Sequence, residues 1–264
     1  MSDYKTLEVD LQKGIGIIWL NRPSLRNAFN DEMIMELDNS LDLMENDDSV
    51  RAIVIGGRGK CFCAGADLNH MKKMATFDYE QNLADSKKLA MLLLHLHMTK
   101  KPTLARVHGH AIAGGMGILT ACDIALASFD AEFCLSEVRL GLIPATIGPY
   151  VNAAMGQRAA HRYMLTGERF SAAEAYRIGL VHEIAPSDKL DEKVDEVLSC
   201  LIQGGPNSLR ATKQLLHSFV GKSFTENLAY DTARSIAEVR ASNEGREGIN
   251  SFLEKRAPAW LIKE

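Results

Sequence analysis

Apolar residues along the chain come in two rhythms. Short unbroken or alternating apolar pieces predict strands at 14-GIGIIWL-20, 52-AIVIGG-57, 103-TLARV-107, 123-DIALA-127, 133-FCLSE-137 and 180-LVHEI-184. Between them, spacing of three and four residues predicts helices. From Phe29 to Met44 the periodic set is Phe29, Met33, Met35, Leu37, Leu41, Leu43 and Met44. A second helix opens at Asp78 and runs to about Met98. Ser171 and Ser223, each followed three residues later by glutamate, read as capping boxes, and Gly179 stops a helix. From about Asp188 onward nearly everything is helical in pattern. The order of strands and helices predicts an α/β fold with a helical C-terminal part, and no exact repeat or long linker interrupts it.

Composition narrows the function. Of 264 residues, 46% are hydrophobic and 24% charged, enough apolar material for a sizeable core. A formal charge of −4 argues against nucleic acid as a partner, which needs a basic surface. The run 89-LAMLLLHLHM-98 is too short to span a bilayer and carries two histidines, so no membrane partner is expected. The polar, acidic start has no signal-peptide pattern. Five scattered cysteines (Cys61, Cys63, Cys122, Cys134 and Cys200) form neither a disulfide framework nor a zinc pattern. Buried free thiols in a reducing cytoplasm are expected.

Two small-residue segments stand out, 61-CFCAGADL-68 and 113-AGGMG-117. The second is not a phosphate loop, because no Gly-Lys-Ser/Thr follows. Small residues let backbone N–H groups approach a ligand, and a helix start carries partial positive charge. Two such N–H groups could hold a thioester oxygen as charge develops on it. Tight turns and close packing explain each segment equally well when it stands alone. Glu137, at the end of an apolar strand, is the candidate acid/base, since a lone carboxylate among apolar residues has a raised pKa. A salt bridge with Arg139 is the competing reading. His108, His110 and Asp123 read as structural, and strand alternation turns Ser136 to the face opposite Glu137.

Five blocks in order, 18-IWLNRPSLRNAFN-30, 61-CFCAGADL-68, 108-HGHAIAGGMGILTACDIALAS-128, 133-FCLSEVRLGLIP-144 and 165-LTGERFSAAEAYRIGLV-181, carry a wider resemblance. The chain resembles the crotonase (enoyl-CoA hydratase/isomerase) superfamily, and within it the bacterial methylglutaconyl-CoA hydratases. The resemblance implies a ββα spiral core over residues 1–190 and a helical trimerisation region over 191–264. A homotrimer or a dimer of trimers follows from it. It implies that Ala66 and Gly114 supply the oxyanion N–H groups to an acyl-CoA substrate. Ala64, Gly65, Asp67 and Leu68 would line the adenine end of coenzyme A, with Arg26 near its phosphates. Phe252 and Lys255 would reach a neighbouring subunit's CoA. No metal or redox cofactor is implied, because the thioester itself supplies the activation.

One position departs from the family pattern. The first of the two glutamates that family hydratases carry falls where this chain has Gly117; the second matches Glu137. Hydration of a short branched 2-enoyl-CoA by Glu137 is the leading expectation. Isomerisation of an enoyl-CoA by Glu137 alone is the alternative, and a non-catalytic acyl-CoA binder is a third.

Overall fold

The computed structural model describes residues 4–261; the first three and last three residues of the sequence lie outside it. Its main sheet has six strands: β1 (Leu7–Gln12), β2 (Ile15–Leu20), β3 (Ala52–Gly57), β4 (Thr103–Val107), β6 (Ile124–Ser128) and β9 (Glu183–Ala185), adjacent in that order. Only β1 and β2 are antiparallel. A smaller sheet places β7 (Glu132–Cys134) between β5 (His110–Ile112) and β8 (Arg169–Ser171).

The parallel strands read as continuous apolar runs because both faces of the sheet are covered. Ile53 and Ile55 point to one face. There they meet Met33, Leu37 and Leu41 of α1 (Asp31–Asn46) and Leu92, Leu93 and Leu96 of α3 (Tyr79–Met98). Ala52 and Val54 point to the other, against Leu190, Val194 and Leu198 of α7 (Leu190–Gln203). A cut between residues 190 and 191 therefore falls at the start of a helix that completes the core. Beyond it, α8 (Pro206–Phe219), α9 (Glu226–Ala241) and α10 (Asn243–Leu253) pack mainly on one another. α9 has no buried residue.

The remaining helices, α2 (Leu68–Met74), α4 (Gly114–Ala121), α5 (Gly148–Thr166) and α6 (Ala172–Arg177), connect the strand ends. α5 is broken at Gly156, where φ is 74°. Among the described residues no helix is long and apolar enough to cross a membrane.

Several local expectations change. β1 was hidden by its polar alternate positions, although Leu7, Val9 and Leu11 keep the two-residue period. α2, β5 and β8 are short and carry too few residues for a periodic signal. Met35 and Leu43 stand exposed, one step off the buried stripe of α1. β7 stops at Cys134, so Glu137 is not on a strand but opens a short 3₁₀ turn, Glu137–Leu140. Alternation therefore cannot place Ser136 on an opposite face. The predicted 180–184 strand begins only at Glu183. Asp78 does cap α3, in a reciprocal box with Gln81. Ser171 caps α6, but the Glu174 carboxylate turns away to Tyr163 and Arg177. α9 is capped by Thr225, not Ser223.

Candidate active site

The site is assembled from three segments that follow strand ends. The first is residues 61–68. Asn27 anchors it, its side-chain amide donating to the carbonyls of Arg58 and Cys61 at 2.9 Å and of Phe62 at 3.2 Å. The Ala64 N–H donates to the Arg26 carbonyl, and Gly65 turns with φ of 92°. Phe29 then clasps the loop: its N–H donates to Gly65 O at 2.7 Å, and its carbonyl accepts from Asp67 N at 2.8 Å. This parallel bridge brackets Ala66 and uses neither of its own polar groups. Among the described residues the Ala66 N–H has no acceptor, an exposed donor of the kind a ligand completes.

The second segment is the start of α4. Cys63 N donates to His110 O and Cys63 O accepts from Ile112 N, so β5 lies beside the first loop. Ala113 has φ of 47° and ψ of −114°, a conformation that costs a residue with a side chain about 1–3 kcal/mol. Its N–H donates to Cys134 O at 2.9 Å, which holds the turn. Gly114 opens the helix, and its N–H is a free first-turn donor at the positive end of the helix dipole. The glycine pair also meets the packing demand. A Cβ on Gly115 would lie 2.7 Å from Cys63 O, and one on Gly114 3.1 Å from the Phe29 ring. The two explanations of these glycines are therefore one: close packing is what brings the two free amides to adjoining loops.

The third segment runs from β7 to Glu137. The Ala113–Cys134 bond ties it to the turn that opens α4. Glu137 Oε2 is buried and has no hydrogen-bond partner among the described residues. Burial pushes its carboxyl pKa up, and its own backbone N–H pulls only partly against this. No charged group contributes to that shift. Arg139 forms no ion pair with it among the described residues and lies instead against Gly167, so the salt-bridge reading is corrected. The result is a carboxyl group poised for proton transfer.

Gly117 lies one turn into α4. A Cβ there would overlap Ile147 Cγ2 and stand 3.1 Å from Leu93 Cδ1. The position is closed by branched side chains, leaving no room for a second acid.

The other candidates divide by what their side chains do. Asp67 is buried and caps α2 through Asn69 N and His70 N, with Arg22 at 2.8 Å. Burial acts to raise its pKa, but these amides and the guanidinium outweigh it and hold the carboxyl below its ordinary value. Its charge is thus spent on holding the loop, and its backbone N–H and carbonyl are bonded to Phe29 O and Met71 N. A lowered pKa means stability that is present above the ordinary aspartate range and lost as pH falls through the folded value. Asp67→Asn keeps a cap acceptor but weakens the Arg22 contact. It is expected to cost about 2 kcal/mol, read as a lower midpoint in urea at pH 7. Leu68, Arg26 and Lys255 are exposed, and Phe252 is 82% exposed at the end of α10. His108 Nε2 meets Gly59 O at 2.9 Å, and burial pushes its pKa down. His110 Nδ1 lies 3.3 Å from Glu132. Asp123 accepts from Thr103 and Lys213. Asn27, Ala113 and Ile147 shape the site but carry no sequence signal, since their roles depend on backbone strain and long-range contact.

A sequence model of the family described as enoyl-CoA hydratase/isomerase matches residues 10–263. The solved structure of an enoyl-CoA hydratase from Shewanella pealeana superposes with a TM-score of 0.95 at 42% identity, covering 98% of this chain and 97% of that one. The 2,3-dehydroadipyl-CoA hydratase of Escherichia coli is 34% identical over 254 residues, 96% of this chain and 97% of that protein. The trans-2-decenoyl-[acyl-carrier-protein] isomerase of Streptococcus mutans is 29% identical over 265 residues, 99% of this chain and 100% of that protein. The family model and the superposition both extend over nearly the full length, and the chain belongs to the enoyl-CoA hydratase/isomerase (crotonase) family.

Proposed function

We propose that the chain adds water across the C2–C3 double bond of a short branched 2-enoyl-CoA of the 3-methylglutaconyl type. The observation that carries this reading is the half-buried Glu137 carboxyl, whose Oε2 is enclosed with no hydrogen-bond partner among the described residues, tied through Cys134 and Ala113 to the turn that presents Gly114. The thioester oxygen accepts hydrogen bonds from Ala66 N and Gly114 N. Loss of one such donor typically lowers rate by about 10²–10³. Glu137 as carboxylate takes a proton from water while the water oxygen bonds to C3. The electron pair moves to C2 and the thioester oxygen, and Glu137 returns a proton to C2. One water is consumed and the carboxylate is restored. The thioester supplies the activation, so no metal or redox group has a part in this scheme.

With Gly117 closed, a second contact to the water has to come from elsewhere. In this reading it is the substrate's own terminal carboxylate. An analogue in which that carboxylate is replaced by methyl is expected to lose kcat as well as affinity; an unchanged kcat would remove the substrate carboxylate from the mechanism. Because the working form of Glu137 is ionised and its pKa is raised, the rate is expected to fall as pH drops through a value above the ordinary glutamate range. A pH–rate profile of kcat/KM reads this directly.

Coenzyme A is assigned to Ala64–Leu68 at its adenine end and to Arg26 at its phosphates. Phe252 of α10 and Lys255, two residues beyond its end, would act on a neighbouring subunit's ligand in a trimer or a dimer of trimers. The exposed Phe219, Val220, Phe224 and Phe252 support such an assembly.

Isomerisation is the second reading. One carboxylate suffices to move a proton between C2 and C4, and a relative bears an isomerase name. Incubation with a 3-enoyl-CoA separates the two: appearance of the conjugated thioester without net hydration marks the isomerase.

A further inference from the structure

Away from the loops that follow the strand ends, a small cavity of about 200 Å³ sits where β3 and β4 begin. It is below the size that holds a drug-sized ligand. Arg51, Lys100, Lys101 and Arg210 line it, with Asp48 as the one carboxylate in its wall. Two cations of α8 make an instructive pair. Lys213 is buried and meets Asp123 at 2.8 Å. Arg210, one turn earlier, has no ion pair among the described residues, and its Nε is buried and unbonded. Arg51 is only 7% exposed. Its terminal nitrogens donate to the carbonyls of Trp260, Ile202 and Gly204, but its Nε is also buried with no partner among the described residues. Lys101 is buried too, and its ammonium donates only to the carbonyls of Asp47 and Val50. Glu244, the acid that acts on Arg51, is already bonded to Asn207 and Ser208 at the start of α8.

Desolvated cations in a native fold are normally matched by an anion, and guanidinium forks match tetrahedral oxyanions closely. We propose that Arg51, Lys101 and Arg210 form a binding site for a compact phosphate-class oxyanion, joining the starts of β3 and β4 to α8. The cavity takes the free ion or the phosphoryl end of a larger molecule.

The test is thermal unfolding of the full chain in rising inorganic phosphate, against sodium chloride at matched ionic strength and pH. The wild type is expected to gain midpoint temperature with the logarithm of phosphate concentration, beyond the chloride control. Arg210→Gln is expected to weaken the apparent affinity at least tenfold, and Arg210→Lys, which keeps charge without the fork, to weaken it less. Arg26→Gln, at the assigned CoA phosphate position, is expected to leave the shift unchanged. A shift equal to that in chloride, or one lost in Arg26→Gln and kept in Arg210→Gln, would overturn the proposal. A parallel titration with adenosine monophosphate separates the sources. Weaker protection than by phosphate fits the free ion, and protection at lower concentration fits a phosphoryl end; in both cases the effect must depend on Arg210.

Discussion

Glu137→Gln is expected to lower turnover by about 10²–10⁴-fold while raising the melting temperature at neutral pH. The first effect is the loss of the proposed general acid/base, since the other carboxylate of the site, Asp67, is committed to Arg22 and the α2 cap. The second follows from burial. Glu137 Oε2 is enclosed without a hydrogen-bond partner among the described residues, and burial raises the carboxyl pKa. A raised carboxyl pKa means that the folded state binds the proton more tightly than the unfolded chain. Its contribution to stability is complete below the ordinary glutamate range and is lost as pH rises through the folded value. Glutamine keeps the shape and carries no charge, so it escapes that loss. The two proteins should melt together at pH 4 and separate progressively above it, with the variant higher. A variant that melts lower than wild type at pH 8 would show that Glu137 has a stabilising partner when ionised.

Gly117→Glu is expected to restore no second acid and to destabilise the fold. The added Cβ would overlap Ile147 Cγ2, which branches directly from the backbone-proximal carbon and cannot swing aside. Ile147 is 1% exposed and precedes α5, so relief requires moving the start of that helix. Overpacking of this kind costs about 1–3 kcal/mol, and a carboxylate forced among Leu93 and Ile147 adds a desolvation cost. The expected result is a lower urea midpoint with no gain in hydration rate. Gly117→Glu/Ile147→Ala should recover part of the midpoint, because it opens the space the new side chain needs. A single variant as stable as wild type and faster would mean that the α4–α5 contact is soft and that the one-acid site is an accident of sequence.

Much of the fold could be read from the chain because the parallel strands are covered on both faces. Runs such as 52-AIVIGG-57 have no other simple use, and α1 and α3 are long enough to show a period. The failures have local causes. β1 is an edge strand, so half its positions are polar, and β5 and β8 each have three residues. Glu137 is legible as a candidate acid/base, but its setting is not. The strand ends at Cys134 and the acid opens a 3₁₀ turn, which places it by tertiary contact rather than by alternation. Gly114 and Gly115 are visible as small residues. That Ala113, not a glycine, takes the strained turn before them could not be seen, since its conformation is imposed by Cys134 O. The Arg22–Asp67 pair carries no sequence signal for a similar reason: the partners lie on different loops, and the resemblance places Asp67 only along the adenine end of coenzyme A.

The most direct test of the central claim is loss of enoyl-thioester absorbance when 3-methylglutaconyl-CoA is mixed with wild type or with Glu137→Ala. Turnover by wild type that falls by at least a hundredfold in the variant is the predicted result, and it would mean that one carboxylate and two backbone amides suffice for hydration here. Equal turnover by both proteins would contradict the account by removing Glu137 from the chemistry.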